Sequence, residues 1–289
     1  MMLLIYEQNY KYFVIGRFIG WLYKGYWLFV SISFLAYADH TLAVWGFPET
    51  PQIIVIALLV SVSLYANLSK AETAINLAVI LVPLIFLVFV FLQFAWADLI
   101  WTNLFPVGES TSSEWAKGLL RAQSAFIGIE LYLFLRKHVD SKHKIKGFPL
   151  FVYQLLWLSF FLSSVLLTLL FYTLPGLKII PEPLLYLLKS QEVTFAERLD
   201  LFFLYIWMMW IVITVSIISF LALYVHRLHY REHHKRDTII WHGLLLFLPV
   251  FFATKQGIDK LNELIIYVFL VFGIIIPFIV VVTNRRKQK

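Results

Sequence analysis

The sequence predicts an all-α, polytopic helical membrane protein with about eight transmembrane helices, forming a single domain over residues 1–289. Three observations predict it. Hydrophobic residues make up 61% of the chain and charged residues 14%, and the mean hydropathy is +0.81; a soluble domain carries about 25% charged residues. The apolar residues fall in continuous runs near the roughly 20 residues that a helix needs to cross about 30 Å of hydrocarbon. The basic residues gather between those runs, on alternate connections.

Taken in order, the spans read as 18–38, 52–67, 74–96, 117–135, 148–172, 199–225, 238–253 and 262–283. The first two flank the lysine- and arginine-free stretch 39–51, and the third runs from just after Lys70 to Trp96. The fourth lies between Trp115 and Arg136, and the fifth follows the basic stretch 136–147. The sixth lies between Arg198 and Arg227, the seventh follows Lys235 and Arg236, and the eighth stops before Arg285. Continuous runs of this length imply helices, because barrel strands alternate polar and apolar residues over about ten positions. No internal repeat and no soluble domain stand out. The opening "MMLLIYEQNYKYFVIG" lacks the basic start and small-residue cleavage site of a secretory signal.

Basic residues retained on the cytoplasmic side set the orientation. One set of segments holds Lys70, then Arg136, Lys137, Lys142, Lys144 and Lys146, then Arg227, Arg231, Lys235 and Arg236, then Arg285, Arg286, Lys287 and Lys289. The opposite segments 39–51, 97–116, 173–196 and 254–261 hold only Lys178, Lys189, Lys255 and Lys260. Both termini are therefore expected in the cytoplasm. Trp21, Trp27, Trp45, Trp96, Trp101, Trp115 and Trp241 sit near span ends, as an interfacial belt requires, whereas Trp207 and Trp210 lie deeper. Residues 184–189, "LLYLLK", read either as a short helix at the membrane surface or as a solvated loop with an amphipathic turn.

A polar group within a bilayer costs about 2.5–3.5 kcal/mol by insertion scales, so each one needs a reason. The fourth span, "KGLLRAQSAFIGIELYLFLRKHV", carries Arg121, Gln123, Ser124 and Glu130 beside the small residues Ala125 and Gly128. Glycine weakens a helix by about 1 kcal/mol relative to alanine. A glycine-interrupted span with a nearby acid is how inverted-repeat transporters build sites at mid-membrane. Two plainer readings stand beside that one: Gly128 lets helices pack closely, and Glu130 reaches toward the interface at Arg136. At the start of the sixth span, Glu197, Arg198 and Asp200 read as an anchor, with acids meeting the positive end of the helix and pairing with the arginine.

The function classes that need a soluble catalytic site are poorly served. There is no G-x-S-x-G, no phosphate loop and no H-E-x-x-H. No cysteine is present, which removes disulfides, thiolate metal sites and cysteine nucleophiles. His226, His229 and His233 in "HRLHYREHH" have helical spacing, with Glu232 and His234 beside them. Their basic surroundings disfavour a divalent cation and suit anionic lipid or a partner better. The basic residues behind the net charge of +7 cluster in short loops between apolar runs, which argues against nucleic acid. No metal, no cofactor and no enzymatic activity are expected.

Several stretches, in order, resemble the spore germination permeases, the B subunits of nutrient germinant receptors. "RFIGWLYKGYW", with Gly16, Gly20 and Tyr26, resembles that family's entrance to its third span, and "TPQIIVIALL" resembles the start of the fourth. "NLFPVGES" followed by "FIGIE" resembles the connection into the sixth. "PEPLLYLLK" and "FAERLDLFFLYIW" resemble the family's approach to its eighth span, carried here by Pro183, Tyr186, Leu187, Leu188, Lys189, Phe195, Arg198, Asp200 and Trp207. One departure is "KAETAIN", with Lys70 and Asn76 where the family has glycine and arginine.

The resemblance implies a partial inverted-repeat fold like that of amino acid–polyamine–organocation transporters, lacking the family's first span and most of its second. It implies a sensor of a small-molecule germinant (an amino acid, sugar or nucleoside) rather than an enzyme. That sensor would work with an A and a C subunit in the spore inner membrane. The residues expected to hold the ligand are Ser124, Phe126, Gly128 and Glu130 in the interrupted span, with Tyr26, Ser31 and Tyr205 lining the same space. The alternative is a secondary transporter of amino acids or cations.

Overall fold

A computed structural model describes residues 10–69, 72–81, 83–106, 108–135, 147–191, 198–229 and 234–287. Lys70, Arg136, Lys137, Lys142, Lys144, Lys146, Phe195, Glu197, Arg231, Glu232, His233 and Lys289, named above, lie outside the described residues, as do the side chains of His229, His234, Arg285, Arg286 and Lys287. The described chain is helical, with no strand among the described residues. Among the described residues, six helical stretches are long and apolar enough to cross a membrane: Gly16–Trp45, Ile75–Asp98, Ser112–Leu135, Phe148–Phe171, Leu199–Arg227 and Lys255–Val280. Gln52–Leu68 is a shorter apolar helix.

Helix by helix, α1 is Tyr10–Trp45, α2 Gln52–Leu68, α3 Glu72–Leu81 and α4 Leu84–Gln93. Further on come α5 (Ser112–Ala122), α6 (Leu131–Leu135), α7 (Phe148–Phe171), α8 (Leu174–Leu177) and α9 (Pro183–Lys189). The last four are α10 (Leu199–His229), α11 (His234–Phe247), α12 (Lys255–Phe269) and α13 (Ile276–Lys287). The expected third span is divided at Pro83, which precedes α4; proline lacks the N–H and crowds the preceding turn. The expected seventh span is α11, of 14 residues, followed by a tight turn at Pro249–Phe251. The last transmembrane helix begins at Lys255, seven residues before the expected 262. The Thr254 side chain accepts from the Gly257 N–H at 3.2 Å and caps it. Its first turns, "KQGIDKLNEL", alternate buried Ile258 and Leu261 with charged residues, so a hydropathy window passes over them.

The residues cluster into two compact units. One comprises Met1–Ala78, Ser113–Lys137 and Trp210–Lys289, the other Val79–Ser112 and His138–Met209. In the first unit α1 packs on α2, α11 and α12, and α2 packs most extensively on α11. Its core includes Val30, Leu35, Leu42, Ile56, Leu221 and Leu245, all buried. Polar side chains tie these helices together: Ser63 Oγ to His242 Nε2 at 3.1 Å, Asn67 Nδ2 to the Ser216 carbonyl at 3.2 Å, and Trp241 Nε1 to Ser219 Oγ at 2.9 Å. His242 Nδ1 lies 2.8 Å from the Thr238 carbonyl, an acceptor, so that nitrogen donates and Nε2 accepts from Ser63. Such bonds hold helices together where lipid removes the hydrophobic drive, at about 0.6–2 kcal/mol each.

In the second unit α7 packs on α4, on α9 and on the tight turns Phe94–Asp98 and Trp101–Leu104. The stretch read as a short helix or a loop is the helix α9, with Leu185, Leu187 and Leu188 buried. Arg198 and Asp200 form the expected pair, bidentate at 2.9 and 2.7 Å. Asp200 is fully buried while Arg198 is half exposed, so the arginine neutralises the buried carboxylate while its own charge keeps contact with the surface. The hydrogen bond to Asp200 holds the guanidinium above its ordinary value.

Candidate functional site

The span Ser112–Leu135 does not run as one helix. After α5 the chain tightens into a 3-10 turn at Gln123–Phe126, passes through turns over 127–130 and resumes as α6. Through this break the amides of Ile127, Ile129 and Leu131 bond three residues back, to Ser124, Phe126 and Gly128. Gly128 has φ +107°, a region that only glycine enters cheaply. The turn aims its N–H at Glu130 Oε2, 2.9 Å away.

Glu130 is 2% exposed. Its other oxygen, Oε1, accepts from the Tyr26 hydroxyl of α1 at 2.9 Å. One buried carboxylate therefore joins the interrupted span to its neighbour, with both oxygens accepting. The Tyr26 ring stacks on Phe272, centroids 4.8 Å apart and planes within 6°. Tyr23, one turn earlier, meets Phe134 and Phe272 edge-on at 5.1 and 5.3 Å.

Phe272 lies in a second interruption. Residues Leu270–Ile275, between α12 and α13, form a π-helical turn in which the Ile276 N–H bonds to the Val271 carbonyl. The next amide in that pattern belongs to Pro277, which has none. The Phe272 carbonyl is thus without its π-pattern donor, and the Tyr23 hydroxyl supplies one at 2.8 Å. A backbone acceptor in a span needs such a partner, and single π-turns recur at functional sites. A Cβ at Gly273 would collide with the buried ring of Phe269, so glycine is required for the ring to pack there.

Three of the seven expected ligand-site residues, Tyr26, Gly128 and Glu130, are brought together. Ser31 is on α1, buried, one turn beyond Trp27. The Ser31 hydroxyl, the Trp27 indole N–H and Gln123 Oε1 are buried without a hydrogen-bond partner among the described residues. Buried polar atoms are nearly always satisfied, so these three retain unused hydrogen-bonding capacity. Ser124 and Phe126 are exposed; Ser124 bonds the Arg121 carbonyl at 2.8 Å. Tyr205 is exposed and belongs to the second unit. Tyr23, Phe272 and Pro277 were missed by sequence reasoning. The signal that finds them is the Gly273–Pro277 pair, which interrupts an apolar run just as Gly128 does.

A family model described as spore germination protein matches residues 3–241. No curated protein and no solved structure matches the chain.

Proposed function

The chain belongs to the spore germination protein family, and from that premise we propose that it is the membrane subunit of a nutrient germinant receptor that senses a small polar molecule. Its place is the spore inner membrane, with both termini cytoplasmic, in a complex with an A and a C subunit. The germinant is an amino acid, sugar or nucleoside. The observation that carries this reading is the buried Glu130, held by the Gly128 amide and the Tyr26 hydroxyl where a span is interrupted. An interrupted helix and a desolvated carboxylate between two helices are elements that a ligand can rearrange, which is what a sensor needs.

The test is Glu130→Gln in spores, with the amount of protein in the membrane checked by immunoblot. The nutrient response is expected to weaken at unchanged protein level. An unchanged dose–response removes Glu130 from the sensing site. A second reading, secondary transport, is favoured by Asp39 in α1, fully buried with neither oxygen partnered among the described residues. Two desolvated acids in spans suit a proton-coupled carrier. Uptake into proteoliposomes driven by a proton or sodium gradient separates the two, because the receptor reading expects little or none.

A further inference from the structure

A cavity of about 360 Å³ lies between α1, the end of α10 and the start of α11, and none of its lining belongs to the Tyr26–Glu130 cluster. Its polar groups form a row. Lys24 Nζ lies 3.2 Å from His226 Nδ1, and His226 Nε2 lies 3.7 Å from Asp237 Oδ2. A cation and a carboxylate thus stand on either side of one imidazole ring. Asp237 Oδ2 is shielded from solvent and has no hydrogen-bond partner among the described residues. Two indoles frame the cation: Lys24 Nζ is 4.9 Å from the Trp21 ring centre and 6.0 Å from that of Trp241. The remaining wall is apolar, and Trp21, Ile240 and Leu244 carry it out to the exposed surface.

We propose that this cavity binds a membrane phospholipid whose headgroup carries a primary ammonium, with the phosphate against Lys24 and the ammonium against Asp237. The position fits, because the cavity borders the basic stretch holding Arg227, Lys235 and Arg236. Such basic ends and tryptophans mark headgroup depth. The charge pattern selects the headgroup. A purely anionic lipid would set its charge against Asp237, and a choline headgroup has no N–H to donate to Oδ2. An acid in the first turn of α11 also meets that helix's positive end, but this supplies no hydrogen bond to the shielded Oδ2, which has none among the described residues. Arg227 feels the Asp237 charge but does not line the cavity. The apolar walls running to the surface suit acyl chains, which a soluble headgroup lacks.

The test is native mass spectrometry of the purified full chain, equilibrated with equal amounts of phosphatidylethanolamine, phosphatidylglycerol and phosphatidylcholine. Phosphatidylethanolamine adducts are expected to dominate. Asp237→Asn is expected to weaken them by about tenfold, the scale of one charge-assisted hydrogen bond. Lys24→Met is expected to lower retention of all three lipids. The headgroup comparison needs no variant, so it decides the matter even if a variant misfolds. Equal or better retention of phosphatidylglycerol overturns the proposal, as does the absence of any retained lipid. Soluble glycerophosphoethanolamine competing as well as the intact lipid overturns the lipid as occupant. A co-purifying protein helix that blocks lipid uptake does the same.

Discussion

Replacing Tyr26 by phenylalanine removes one oxygen and keeps the ring stacked on Phe272. It therefore isolates the bond between α1 and the interrupted span. Two magnitudes bracket the effect. A hydrogen bond to a charged group contributes about 1.5–3 kcal/mol, whereas interhelical pairs in membrane proteins average about 0.6 and reach about 1.7. The structure favours the upper part of the second range. Glu130 is 2% exposed, so water does not replace a lost donor, and the Tyr26 hydroxyl donates to Oε1 while the Gly128 amide donates to Oε2. A double-mutant cycle of Tyr26→Phe and Glu130→Met should give a coupling of about 1–2 kcal/mol. The assay is reversible unfolding of the purified full chain in mixed micelles, titrated with sodium dodecyl sulfate. Methionine keeps the length of the side chain without the acceptors, so a new bond does not mask the loss. Coupling below about 0.3 kcal/mol, the usual limit of additivity, would refute the bond as a link between the two helices.

Gly273→Ala should drive a methyl into the Phe269 ring and cost about 1–3 kcal/mol by overpacking, read as a lower unfolding midpoint. Gly128→Ala keeps free space around the new methyl, the nearest atom being Leu131 Cδ1 at 3.8 Å, but must hold φ +107°. It should cost about 1–3 kcal/mol from backbone strain alone and loosen protease protection around 123–130. Arg198→Ala leaves the fully buried Asp200 without its bidentate partner. Removing one partner of a buried pair costs about 3–5 kcal/mol, and the half-exposed arginine lowers that toward about 2, measurable by the same unfolding titration. Trp241→Phe removes the bond to Ser219 and should cost about 1 kcal/mol, with Ser219→Ala adding little further to it.

The interrupted span was legible because its reasons are local. Gly128 within an apolar run, with Glu130 two residues on, marks a break and a costly acid in any helical membrane chain. The Arg198–Asp200 pair was legible for the same reason, since its partners lie two residues apart on one helix start. The partners of Glu130 were less so. Tyr26 is 104 residues away, and its place in the expected site came from resemblance, not from spacing. Tyr23 and Phe272 are 249 residues apart, and no periodicity links them. Ser124 and Phe126 were expected on the site because they sit in the break, but a tight turn points successive side chains in different directions, and these two face outward.

The sequence by itself determined the class of the protein, the positions of most spans and the weak point in one of them. Hydropathy, proline and glycine act on the chain within a turn or two of where they stand, so their consequences can be read in order. Only the tertiary structure decided which helix answers each interruption: α1 offers the Tyr26 hydroxyl to Glu130 and the Tyr23 hydroxyl to the carbonyl left without a donor before Pro277. The physical reason is that a polar group in a span must find a partner somewhere, but that requirement says nothing about which of many apolar, nearly interchangeable helix faces will carry it.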